Sequence, residues 1–225
     1  MTIRCIHRHT IDEHPNCFMK GLINYIFENE KEFIKLTGLP WYNFPGYKIG
    51  YLDIETQHSF GADYGVLLSW CIKEKDGDIK SSIITKRELF EEEFDKRLVK
   101  ECLDELKNYK IIVGYYSEGF DIPFLRTKAL HYDFDFPGYG ELYHWDLYYT
   151  AKYKLKLSKY SLANVCDYLN ISGKTPLDRE TWNRAGYGDK RALERVLEHN
   201  KADVIITEKL HNKISFTRKW IRKSI

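Results

Sequence analysis

Asp53 and Glu55 lie two residues apart near the end of an apolar run from Tyr47 to Glu55. Read as a strand, with its side-chain period of two, this run turns both carboxylates to one face and Leu52 and Ile54 to the other. Neighbouring carboxylates repel, and burying them without a partner is costly. A divalent cation removes that cost, and hard oxygen ligands suit Mg²⁺ or Mn²⁺. Asp-x-Glu on its own is a common pair, equally at home on a solvated strand end.

A second group lies near the other end of the chain. Val196, His199, Asp203, Ile206 and Leu210 recur every three or four residues and so share one helix face. His199 and Asp203 interrupt an apolar stripe that should pack on a sheet, where a charge needs a partner. Alone they would read as a helix-edge ion pair. Set beside Asp53 and Glu55, they complete the kind of ligand and base set that a two-metal phosphodiester site uses. A third segment, Val113 to Leu125, runs from a strand through a glycine-containing turn to Asp121, which stands where the next helix should begin. A carboxylate there serves as a helix cap or as a ligand. Phe120 and Phe124 read as core.

The elements that must position these groups follow from the patterning. Gly65–Lys73 and Ile79–Thr85 are expected strands joined by a turn at Lys75–Asp78, which with the first strand makes a three-stranded meander. Phe90, Phe94, Leu98, Cys102 and Leu106 predict an amphipathic helix over Leu89–Asn108. Ile111–Tyr115 is a short strand, Ile122–Leu130 a helix, and Glu141–Trp145 a further strand. Ser161 should cap a helix reaching Leu169, and Asp189 a long final helix running past Leu210. Three strands followed by helix–strand alternation predict an α/β fold, a mixed β-sheet flanked by α-helices.

The 225 residues, 43% hydrophobic and 30% charged with six prolines, suffice for one well-buried domain and a small appendage. We divide the chain into a helical N-terminal appendage and linker (1–46), the α/β domain (47–214) and a basic tail (215–225). A formal net charge of +2 means that any nucleic-acid-binding surface must be local. The five cysteines, an odd number with three in apolar runs, argue for buried reduced thiols over a disulfide framework. There is no apolar stretch of membrane-spanning length and no signal-like start, so a soluble, cytoplasmic chain is expected.

Taken in order, these segments resemble the three exonuclease motifs of the DnaQ-like superfamily in its DEDDh branch, on an RNase H-like fold. They are most similar to the proofreading domains of family B polymerases and to YprB-type RNase H-like domains. Asp53-Ile54-Glu55-Thr56 resembles the first motif, Gly119-Phe120-Asp121 with Ile122-Pro123-Phe124-Leu125 the second, and His199-x-x-x-Asp203 the third. His144-Trp145-Asp146-Leu147 and Tyr160-Ser161-Leu162 also fall in the matching order, and the likeness spans Tyr47 to Lys213.

The resemblance implies a 3′→5′ exonuclease acting on single-stranded or 3′-terminal DNA or RNA. Asp53, Glu55, Asp121 and Asp203 would hold two Mg²⁺ or Mn²⁺ ions, with His199 as general base, and nucleoside 5′-monophosphates would be released. It also implies contacts to the terminal nucleotide from Ile54, Thr56, Tyr116 and Phe120. One departure stands out: where the family has an asparagine ahead of the second motif's aspartate, this chain has Tyr116 or Ser117. Two other functions are compatible with the same residues: a catalytically silent nucleic-acid-binding module and a structure-directed endonuclease.

Three further groups need a reading. Asp146 reads as a helix cap at least as readily as a functional acid. Lys152, Lys154, Lys156 and Lys159, with Arg218, Lys219, Arg222 and Lys223, could guide a phosphate backbone or be a solvated face. Cys5, His7, His9, His14 and Cys17 are residue types that suit zinc, in a spacing that matches no zinc pattern.

Overall fold

The computed structural model describes residues 48–57, 61–91, 93–138, 141–173 and 176–217, together with the backbone of 223–224. The expected N-terminal appendage, its Cys/His cluster and most of the basic tail lie outside the described residues.

The sheet is mixed, as the pattern predicted. Its strands are β1 (Ile49–Thr56), β2 (Leu67–Glu74), β3 (Ile79–Ile83), β4 (Ile111–Gly114), β5 (Tyr143–Asp146) and the two-residue β6 (Lys223–Ser224). The spatial order is β3-β2-β1-β4-β5-β6. The first three strands form the expected antiparallel meander. β4 then joins β1 in parallel, and β5 joins β4 in the same sense. Parallel strands require crossovers. These are supplied by α1 (Lys96–Leu106) before β4 and α2 (Asp121–His131) before β5. α3 (Leu147–Lys154), α4 (Leu162–Tyr168), α5 (Arg179–Gly186) and α6 (Lys190–Ile214) follow.

β1 is the hinge of the design, because it is buried on both faces. Leu52 and Ile54 join α1 and α2 in one apolar cluster with Leu98, Leu103, Phe124 and Leu125. Ile49 and Tyr51 join a second cluster with Val113, Trp145, Val204, Ile206 and Leu210. The strand alternation therefore sends Asp53 and Glu55 toward the α6 side of the sheet. The α6 stripe behaves as its spacing predicted, with Val196, His199, Asp203, Ile206 and Leu210 all buried. Asp189 and Ser161 cap their helices by accepting from the backbone N–H of Ala192 and Asn164 at 2.8 and 3.3 Å.

One expected element is shorter than its pattern. The Leu89–Asn108 helix is a 3-10 turn at Glu88–Phe90 and then α1 from Lys96. Phe90 and Phe94 are exposed, not core. The cause is tertiary. Asp95 is drawn into the interior, where it accepts from the Leu67 N–H at 2.6 Å and the Tyr132 hydroxyl at 2.6 Å, and pairs with Lys128 at 3.1 Å. The chain reverses at Phe94, in the left-handed region at φ +39°, to deliver it. Conversely, α3 and α5 are helices that the apolar pattern did not announce.

Candidate active site

The carboxylates come from three elements. Asp53 and Glu55 stand at the end of β1, Asp121 opens α2, and Asp203 lies midway along α6 with His199 one turn before it. β4 runs only to Gly114 and pairs with β1 only as far as Tyr51. Beyond that point no described strand pairs with the β1 edge on that side, and the Ile54 N–H donates to Oδ1 of Asp121 at 3.0 Å. This bond brings the second sequence motif to the first. Asp121 is the first residue of its helix and not the cap, which is Phe120 and makes no side-chain capping bond.

The α6 side closes on the same strand. His199 Nε2 lies 3.5 Å from Glu55 Oε1 and 3.9 Å from Asp203 Oδ2. Asn200, fully buried, donates its amide to Asp53 Oδ2 at 2.6 Å. Asn200 was missed in the sequence, although it stands four residues after Val196 and three before Asp203, on the same inward side of the helix.

Electrostatics tie the group together. Burial holds the Asp53 carboxyl well above the ordinary range, and the negative charges of Glu55, Asp121 and Asp203 push it in the same direction; the Asn200 amide opposes them. Asp121 is pushed up to about 7, first by burial, with the Ile54 N–H pulling back. Asp53 therefore resists ionising beside the other three acids. An oxygen-rich, electron-dense set of this kind fits a hard divalent cation by its chemistry. It is not a finished coordination shell: among the described residues, no three His, Cys, Asp or Glu side chains are already arranged to hold an ion.

An open cleft of about 740 Å³ lies over these acids, and Asp53, Ile54, Glu55, Thr56, Tyr116, Phe120 and Asp121 all line it. His199 and Asp203 are buried and do not themselves line it. The far side is supplied by α5, which contributes Arg179, Trp182 and Asn183. The Trp182 ring stands edge-on to His199, with centroids 6.1 Å apart at 88°. Gln57 ties α5 to the end of β1 by donating to the Gly186 carbonyl at 3.0 Å. None of these α5 residues was singled out in the sequence. The one signal available was the cap, Asp178 accepting from the Thr181 N–H at 2.7 Å.

The loop between β4 and α2 is held from outside by Asp146. It accepts from the N–H groups of Tyr116, Glu118 and Tyr148 at 3.0, 2.9 and 2.8 Å, which makes it both the cap of α3 and the brace of the second motif. Burial raises its carboxyl, and these three donors lower it. The structure separates the two residues that stand in the asparagine's region. Ser117 is buried against His144, Oγ to Nε2 at 2.8 Å. Tyr116 lies in the left-handed region at φ +61°, a conformation that asparagine adopts readily, and faces the cleft. Gly119 accommodates it: a Cβ there would come within 2.5 Å of the Tyr116 ring.

Comparison with known proteins agrees with this architecture. A family model for the RNase H superfamily matches residues 50–215. Among solved structures, the chain is similar to a family B DNA polymerase from the hyperthermophilic archaeon Pyrobaculum calidifontis, with TM-score 0.59 and 22% sequence identity. The match covers 76% of this chain and 25% of the polymerase, so the likeness is one of fold over a quarter of that protein's length. No curated protein matches the sequence.

Proposed function

Because the chain belongs to the RNase H superfamily, we propose that it is a metal-dependent 3′→5′ exonuclease that removes nucleoside 5′-monophosphates from the end of a DNA or RNA strand. The observation that carries this reading is the convergence of Asp53, Glu55, Asp121 and Asp203 from three elements beneath one open cleft, where Asp53 feels the charge of the other three. A structural role does not require four acids to crowd in this way, since each would be cheaper as an apolar residue.

In this reading the four carboxylates would hold two divalent ions, Mg²⁺ or Mn²⁺, which would supply acidification of a water and neutralisation of charge at phosphorus. His199 accepts the proton of the attacking water at Nε2. Glu55 Oε1 lies 3.5 Å from that nitrogen. Trp182 restricts the ring by packing its edge against it. The Ile54 and Thr56 segment lies under the terminal nucleotide, and Tyr116 and Phe120 offer aromatic surface to its base.

The alternative is a catalytically silent nucleic-acid-binding module on the same fold. A time course separates the two. Strands labelled at the 5′ or the 3′ end, of DNA and of RNA, are incubated with Mg²⁺, Mn²⁺ or chelator. The exonuclease reading expects a ladder that shortens stepwise from the 3′ end, and no such ladder in chelator or with Asp53→Ala or Asp203→Ala, both variants staying folded by circular dichroism. Binding without cleavage supports the silent module, and internal cuts an endonuclease.

A further inference from the structure

Beside the cleft mouth, four tyrosines form a continuous rack that the core does not need. Tyr116, on the cleft wall, packs edge-on against Tyr148, with centroids 5.0 Å apart, and lies 6.4 Å from Tyr149. Tyr148 in turn packs edge-on against Tyr149 at 5.1 Å. Tyr149 stacks on Tyr153 at 6.2 Å and 18°, as expected for positions four apart on α3. The two ends of the rack are open: Tyr116 is 46% and Tyr153 74% exposed. Aromatic rings left in water in a connected series are unusual on a surface with no ligand.

Charge follows the same path. Lys152 holds its ammonium 5.6 Å from the Tyr148 ring centre, and Lys154, Lys156 and Lys159, all exposed, follow it in the sequence. Glu118 is the acidic neighbour: the Tyr149 hydroxyl is raised first by desolvation and then by the Glu118 charge. Interleaved aromatics and ammonium groups are the composition of surfaces that take single-stranded nucleic acid: rings stack on bases and lysines follow the phosphates. A duplex hides its base faces and cannot use such a rack.

We propose that Tyr116, Tyr148, Tyr149 and Tyr153 with Lys152 form a track for single-stranded nucleic acid that leads the strand into the cleft. The track rests on the nuclease reading only for its direction. The rings are too closely packed to admit a base between them. Bases therefore stack on the outer faces at the two open ends, Tyr116 at the cleft and Tyr153 farther out, with Tyr148 and Tyr149 as struts. Strands too short to reach Tyr153 gain nothing from it.

The test is equilibrium binding in excess EDTA, where hydrolysis plays no part. Fluorescent single strands of about 4 and about 16 nucleotides, the span of known single-strand site sizes, are titrated with wild type, Tyr153→Ala and Tyr153→Phe. The expected result is a loss of roughly tenfold in affinity for the long strand with Tyr153→Ala, recovery with Tyr153→Phe, and poor competition by duplex of equal length. Equal affinity of Tyr153→Ala and wild type for the long strand overturns the proposal. So does equal competition by duplex, or wild-type binding that does not grow with strand length. Wild-type cleavage, assayed separately with Mn²⁺, tests the nuclease reading: a track without cleavage sinks only that reading, and cleavage without strand-length dependence sinks only the track.

Discussion

The Asn200 amide donates to the Asp53 carboxylate at 2.6 Å, joining α6 to β1 across 147 residues of sequence. It lowers an acid which burial and three other carboxylates raise. Replacing it tests how much of the fold's stability is held in check at this point. Asn200→Ala leaves the buried Asp53 oxygen without its donor, and a loss of about 1–3 kcal/mol in unfolding free energy is expected by urea titration. Asp53→Asn should do the opposite in chelator. It removes one charge from the crowded set and raises the melting temperature, while ending hydrolysis. A fall in melting temperature with Asp53→Asn would show that the acids do not strain the fold.

Asp121 predicts a pH dependence with a definite sign. Its carboxyl titrates at about 7 in the folded chain against 3.8 ordinarily. Between these values the folded state binds more protons than the unfolded one, so stability falls as pH rises. In chelator the melting temperature should decline from about pH 4 to about pH 7. Millimolar Mn²⁺ should flatten that decline, by favouring the ionised acids. A chelator profile that rises across the same window would contradict the raised carboxyl.

His199 is expected to act on rate more than on ion binding. His199→Ala should slow hydrolysis by about 10²–10⁴-fold. The thermal shift on adding Mn²⁺ should stay close to that of wild type, since the proposed ligands are the four carboxylates. A loss of that shift would make His199 a ligand, and an unchanged rate would remove it from the chemistry.

Tyr116 sets a backbone cost against a packing gain. Its left-handed conformation costs on the order of 1–2 kcal/mol for an ordinary side chain. Its edge-on contact with Tyr148 returns about 0.5–1.5 kcal/mol. Asparagine tolerates the conformation but lacks the ring, so Tyr116→Asn should leave stability nearly unchanged. It should raise KM for strand hydrolysis with a smaller effect on kcat. Calorimetry and steady-state kinetics on the same preparation check both halves.

Asp95 carries the fold where Asp53 carries the site. It is buried with Lys128 at 3.1 Å and accepts from Leu67 and Tyr132. Asp95→Ala strands a buried ammonium, and a loss of about 3–5 kcal/mol is expected by urea titration. A loss below about 1 kcal/mol would mean that Lys128 reaches water in the variant.

The sequence by itself determined whatever depends on neighbours within a turn or two. The period of two put Asp53 and Glu55 on one face of β1, and the helical spacing placed His199 and Asp203 in the α6 stripe. Ser161 and Asp189 announced helix starts because a cap acts on N–H groups two or three residues away. Tertiary structure alone decided the rest. That Asp121 takes the Ile54 N–H follows from where β4 stops pairing with β1, and that Asn200 meets Asp53 follows from how α6 crosses β1. The break at Phe94 overrode a clean apolar period, because a buried carboxylate must reach Leu67 on β2 and Lys128 on α2. α5 and its Trp182 beside His199 left only a cap in the sequence. Periodicity records which way a residue faces. What it faces is settled when segments distant along the chain close on one another.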